Sequence, residues 1–144
     1  MTVRKILDEK SGDVLLATAD ATIATTVAAM CARGVGSAVV VGDDGMPVGI
    51  LTERDVLREF AQHGDRLGGK VTGDLMSRPV RTTTPDASVE SVMQLMTKHR
   101  FRHVPVIDAG RLVGIISIGD VVKARLQETE AEAESMRQYI ATSY

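Results

Sequence analysis

The chain repeats itself once. Thr18-Ala19-Asp20-Ala21-Thr22-Ile23 lies over Thr84-Pro85-Asp86-Ala87-Ser88-Val89 at an offset of 66, and Met30 then falls on Met96. With one residue dropped, Gly45-Met46-Pro47-Val48-Gly49-Ile50-Leu51-Thr52 lies over Gly110-Arg111-Leu112-Val113-Gly114-Ile115-Ile116-Ser117, and Asp55 over Asp120. A period of this length marks one supersecondary unit used twice, and a unit this small cannot bury its apolar surface alone.

Each copy reads βαββα. An extended piece (Val14–Ala17; Val80–Thr83) leads to a polar helix start at Asp20–Thr22 or Asp86–Ser88. Apolar residues follow at helical spacing: Ile23, Val27, Met30 and Cys31 in the first copy, Val89, Met93 and Met96 in the second. Cys31, on that stripe, is expected to be a buried, inert thiol. Two short strands come next, Ala38–Val41 with Val48–Leu51 and Val104–Ile107 with Leu112–Ile116, joined by Gly42-Asp43-Asp44-Gly45 and Asp108-Ala109-Gly110. A second helix opens near Glu53 and Gly119. The fold class is therefore α/β (α+β), with two three-stranded units packed about a pseudo-two-fold axis.

This reading divides the chain into a first repeat with its N-terminal segment (1–62), a glycine-rich connection (63–73), a second repeat (74–125) and a helical extension (126–144). In the extension, Val122, Leu126, Thr129, Ala133, Met136 and Ile140 are spaced 4-3-4-3-4, which predicts a long helix packed on a partner or back on the body. Glu128, Glu130, Glu132 and Glu134 form its solvated side.

Composition narrows the function. A net charge of −2 gives no broad cationic surface of the kind nucleic acid requires. No apolar run is long enough for a membrane span and no leader pattern opens the chain, so a cytoplasmic location is expected. A lone cysteine permits no intramolecular disulfide and no cysteine-rich metal site. No nucleophile elbow, P-loop or zinc-protease motif occurs, so no catalytic residues are assigned.

The sharpest signal is Gly-h-h-Ser/Thr-x-x-Asp, with h aliphatic, at Gly49–Asp55 and again at Gly114–Asp120. A hydroxyl at a strand end followed by a helix N-terminus suits a phosphate or ribose, and an acid one turn in can accept from both ribose hydroxyls. The same pattern is also close to a helix capping box, which is the competing reading of either copy alone. Arg100-Phe101-Arg102-His103 brings cations to the start of the Val104-Pro105-Val106 strand, either to hold phosphate or as surface charge. The first copy has Gly34-Val35-Gly36-Ser37 there instead, so the two clefts are expected to differ. His63 and His99 are expected to face solvent.

These residues resemble a CBS domain pair, the repeat also called a Bateman module, over roughly Val14 to Arg125. The resemblance rests on the paired corners, the Thr-x-Asp-Ala-Ser/Thr helix starts and the stretch Phe101–Val106 followed by Gly114–Lys123. It implies binding of AMP, ATP, NAD(H) or S-adenosylmethionine in two inter-repeat clefts, usually within homodimers, in a module that regulates a partner protein of unknown identity. Carried over by position, the second cleft would use Asp120 and Ser117 for ribose or phosphate. Arg102 and His103 would hold phosphate, with Ile115 and Gly119 beside them. Gly12, Gly36 and Ser37 would wall the adenine. The first cleft would use Thr52, Arg54 and Asp55, with Arg78 and Val80 from the second repeat. The rival expectations are an oligomerisation adaptor with vestigial clefts, and a nucleotide-consuming enzyme.

Overall fold

In a computed structural model, residues 1–10 and 13–143 are described. The elements run α1 (Val3–Glu9), β1 (Leu16–Ala17), α2 (Ile23–Arg33), β2 (Ser37–Val41), β3 (Pro47–Thr52), α3 (Glu53–His63), α4 (Thr72–Leu75), α5 (Val89–His99), β4 (His103–Asp108), β5 (Arg111–Ser117) and α6 (Ile118–Thr142). A 3-10 helix, Gly64–Gly69, lies between α3 and α4. Two tandem βαββα units with a long C-terminal helix are thus present, as the repeat implies.

The local chemistry is repeated as well. Thr22 caps α2 and Ser88 caps α5, each side chain accepting from the backbone N–H three residues on. β2 and β3 pair antiparallel, as do β4 and β5, and both ladders slip one register at equivalent points, Val40/Val41 and Val106/Ile107. β1 adds a parallel third strand to the first sheet. Its counterpart in the second unit is reduced to one bridge, Thr83 with Val106, so the second sheet has two strands rather than the three expected.

Thr26 and Val92 are buried in α2 and α5 at equivalent positions, so the inward face follows i, i+3, i+7 through Ile23, Thr26 and Met30 and through Val89, Val92 and Met96. Cys31 lies off that face and is exposed, contrary to the expectation of a buried thiol. His63 is exposed, whereas His99 is half-buried against Phe101, with ring centroids 5.9 Å apart.

The halves are joined by exchange. α1 belongs in sequence to the first repeat, yet Val3 and Ile6 lie in the core formed by Val89, Val92, Met96, Val104, Val106, Ile116 and Val121. α4 leads into the second repeat, yet Leu75, which lies within that repeat, completes the core of Ile23, Met30, Ala38, Val40 and Leu51. The backbone bonds match one for one. Val3 N–H donates to Ala87 and Thr72 N–H to Ala21; Arg4 N–H to Pro85 and Gly73 N–H to Ala19; Val89 N–H to Met1 and Ile23 N–H to Lys70. The stretch between the repeats is therefore not a loose tether, and Thr72 within it is fully buried.

This exchange explains the glycine that opens each corner motif. A Cβ on Gly49 would sit 2.3 Å from Met76 Sδ, and one on Gly114 would sit 2.5 Å from Leu7 Cδ2. Each glycine admits an apolar side chain that follows or lies in the other half's crossing helix.

Candidate functional site

Ser37 pairs with Thr52 across the first ladder, and His103 pairs with Ser117 across the second. The two strand ends of each unit therefore meet at the corner where α3 or α6 begins. The turn into each helix is pinned identically: Glu53 N–H donates to Gly36 carbonyl oxygen at 3.0 Å, and Ile118 N–H to Arg102 at 2.8 Å.

Both corners form capping boxes. Thr52 N–H and Oγ1 donate to Asp55 Oδ2 at 2.9 and 3.0 Å, while Asp55 N–H donates back to Thr52 Oγ1 at 3.3 Å. Ser117 N–H donates to Asp120 Oδ2 at 2.8 Å, and Asp120 N–H donates to Ser117 Oγ at 3.2 Å. The capping reading is thus realised in both copies.

The acids differ in what else they hold. Asp55 is buried, and its Oδ1 accepts from Ser77 Oγ at 2.8 Å, so both carboxylate oxygens are occupied. Asp120 is half-buried; its Oδ2 also accepts from Lys10 Nζ at 2.7 Å, and no hydrogen bond reaches Oδ1 among the described residues. Lys10 donates as well to the Ile115 carbonyl oxygen, at 2.9 Å. Burial pushes the Asp120 carboxyl up, but the Lys10 and Ser117 hydrogen bonds and the Lys10 charge outweigh it and hold the group below the ordinary aspartate value. The His103 pKa is lowered too, which for a base disfavours the charged form. Burial, then the Lys10 and Arg102 charges, lower its pKa against the opposing pull of Glu53 and Asp120.

The corners face one continuous cleft of about 1350 Å³ between the repeats. Of the residues singled out in the sequence, Gly36, Ser37, Thr52, Arg54, Asp55, Val80, Arg102, His103, Ile115, Ser117 and Gly119 line it. Asp120 stands behind Ser117 and Lys10 rather than on the wall, and Arg78 is exposed away from it. Gly12 lies outside the described residues. Sequence reasoning missed Lys10 and Ser77, which lie outside the corner motifs; only the crossing of the leading segments brings them to Asp120 and Asp55. The cleft is cationic in a chain of net negative charge: among the described residues, eight Lys and Arg side chains line it against four carboxylates.

A family model described as "CBS domain" matches residues 3–62 and 71–127. The chain belongs to the CBS-domain family. CBS-domain pairs are regulatory modules. This CBS pair is 40% identical to the CBS-domain containing protein ATU1752 from Agrobacterium tumefaciens, whose crystal structure superposes with a TM-score of 0.80 over 86% of this chain and 92% of that one. It is 39% identical over 137 residues to the mitochondrial CBS domain-containing protein CBSX3 of Arabidopsis thaliana, covering 92% of this chain. The chain spans 66%, 55% and 41% of the lengths of the first three curated relatives that it matches. Two solved relatives carry ligands. The CBS pair of protein MJ0100, in complex with 5-methylthioadenosine and S-adenosyl-L-methionine, is 26% identical with a TM-score of 0.77, over 89% of this chain and 98% of that one. CBSX2 in complex with AMP is 25% identical with a TM-score of 0.72, over 88% and 97%. No described helix of this chain is long and apolar enough to cross a membrane.

Proposed function

We propose that this CBS pair is a non-catalytic sensor of adenosine nucleotides (AMP, ATP or NAD(H)), and that occupancy of its cleft shifts the packing of the two repeats and so signals to a partner. The observation that carries the reading is the Ser117–Asp120 corner. Its carboxylate leaves Oδ1 without a hydrogen bond among the described residues, directly behind a cationic cleft wall of Lys10, Arg102, His103 and Ser117. The first corner is second in rank, because Ser77 already occupies Asp55 Oδ1. The excess of Arg and Lys favours ligands bearing phosphate over the cationic sulfonium of S-adenosylmethionine. The AMP complex of CBSX2 and the methylthioadenosine complex of MJ0100 support an adenosine-sized occupant.

Titration calorimetry with AMP, ATP, NADH and S-adenosylmethionine tests this. Phosphate-bearing ligands should bind most tightly, and Asp120→Ala should weaken them about 10- to 150-fold, the loss of a charged acceptor of ribose hydroxyls. If no nucleotide binds or raises the melting temperature, the reading fails in favour of an oligomerisation adaptor.

A further inference from the structure

From Thr129 to Ser143 every described residue is exposed, so the outer part of α6 stands clear of the body. On this 25-residue helix only Val121 and Ala124 are buried. The predicted stripe has therefore not folded back. Val122 is 51% exposed, Leu126 58%, Met136 60% and Ile140 51%, and they form one seam with Thr129 and Ala133. A free-standing helical stretch of about 14 residues, the part from Thr129 on, is marginal in water, so the seam calls for a cover. Most of it also lies past residue 127, where the family match ends.

We propose that α6 pairs with α6 of a second copy of this chain as a parallel, in-register two-stranded coiled coil. Spacing assigns Leu126, Ala133 and Ile140 to position a and Val122, Thr129 and Met136 to position d. The flanking g and e positions then carry Arg125, Glu130, Glu132 and Arg137. In a parallel pair, g of one helix meets the following e of the other, which sets Arg125 against Glu130 and Glu132 against Arg137, each twice by symmetry. An antiparallel pair that stacked Leu126 on Met136 and Thr129 on Ala133 would instead oppose Glu130 to Glu130, Glu132 to Glu132 and Lys123 to Arg137. Charge therefore selects the parallel form. The acidic flank, Glu130, Glu132 and Glu134, disfavours an anionic membrane as the cover. Arg125 and Arg137 now pair within their own helix, with Glu128 and Glu134, through exposed contacts that are readily exchanged. The inference rests on α6 alone and does not depend on nucleotide binding.

The test uses the full chain. Sedimentation should show a concentration-dependent dimer. Glu132→Arg should weaken it about tenfold, and Glu132→Arg/Arg137→Glu should restore it. In a Cys31→Ser background, which removes the exposed native thiol, Ala133→Cys should form a disulfide-linked dimer under oxidised glutathione, since a positions face each other only in the parallel register. Three results overturn the proposal: a monomer at the highest soluble concentration, a dimer insensitive to Glu132→Arg, or preferential cross-linking of mixed Thr129→Cys and Ala133→Cys chains, which marks the antiparallel register.

Discussion

Lys10 donates at 2.7 Å to Oδ2 of Asp120, a residue 110 positions away in sequence. The ion pair ties the segment after α1 to the corner where α6 begins, and it keeps the Asp120 carboxyl below the usual aspartate value. A carboxyl depressed in the folded state adds stability above its unfolded pKa of about 3.9 and loses it as pH falls through the folded value. Lys10→Met should therefore lower stability at neutral pH. The cost should stay below about 1 kcal/mol, because solvent screens a half-exposed pair. The difference from the parent chain should begin to shrink below about pH 4 and close as the pH passes the lower folded value in urea titrations, and a deficit that persists unchanged in acid would contradict the assignment.

His103 gives the opposite kind of group a similar slope. Its folded pKa is lowered by burial and by Lys10 and Arg102. As pH falls through the unfolded value near 6.5, the unfolded chain takes up a proton that the folded chain resists, and stability drops. His103→Gln should flatten stability between about pH 7.5 and 5.5. A bound phosphate would favour the imidazolium, so nucleotide binding near pH 6 should be accompanied by proton uptake. Calorimetry in two buffers of different ionisation enthalpy reads that uptake, which His103→Gln should abolish.

In the first half, Thr26 and Thr72 share a buried 2.7 Å hydrogen bond, and Thr72 Oγ1 lies 2.9 Å from the Ala21 carbonyl oxygen. In the second half the equivalent positions are Val92 and Val3, both buried. Thr72→Val leaves the Thr26 hydroxyl without its partner in a dry site and should cost about 1–3 kcal/mol. Thr26→Val/Thr72→Val reproduces the apolar pairing of the other half and should recover most of the loss. Non-additivity in denaturant melts is the check.

Arg100 ends α5 with φ 58°, the left-handed conformation that Gly34 adopts at φ 63° at the end of α2. A side chain there is strained where glycine is not. Arg100→Gly should raise stability by about 0.5–1 kcal/mol while removing a cation from the cleft wall. Higher melting temperature with weaker nucleotide affinity would show that the strained arginine serves the cleft. A loss of stability would show that its contacts outweigh the strain.

Much of this protein is legible in one dimension because its determinants are local. The caps at Thr22 and Ser88, the glycines of the hairpin turns, the alternation of helix and strand and the doubled corner motif each act over a few residues. Doubling raised their weight, because a hydroxyl and an acid three residues apart read as an ordinary cap once but as a site when two copies face each other. The heptad spacing of α6 was visible for the same reason. The inward face of α2 was not. Cys31 and Thr26 are both compatible with a helical stripe, and which one is buried follows from the partner, here Thr72 from a segment 46 residues on.

The crossing of α1 and α4 is what tertiary structure alone decided. Nothing in Val3, Ile6 or Leu75 names the core they fill, because apolar burial is non-directional and either half offers an aliphatic surface. Register is selected by the backbone bonds of Val3 to Ala87 and Thr72 to Ala21, and by glycines that leave room for Leu7 and Met76. That choice carries Lys10 to Asp120 and Ser77 to Asp55, and with them the difference between the two corners. Sequence spelled out two matching corner motifs with different flanks; long-range packing made the two acids themselves unequal.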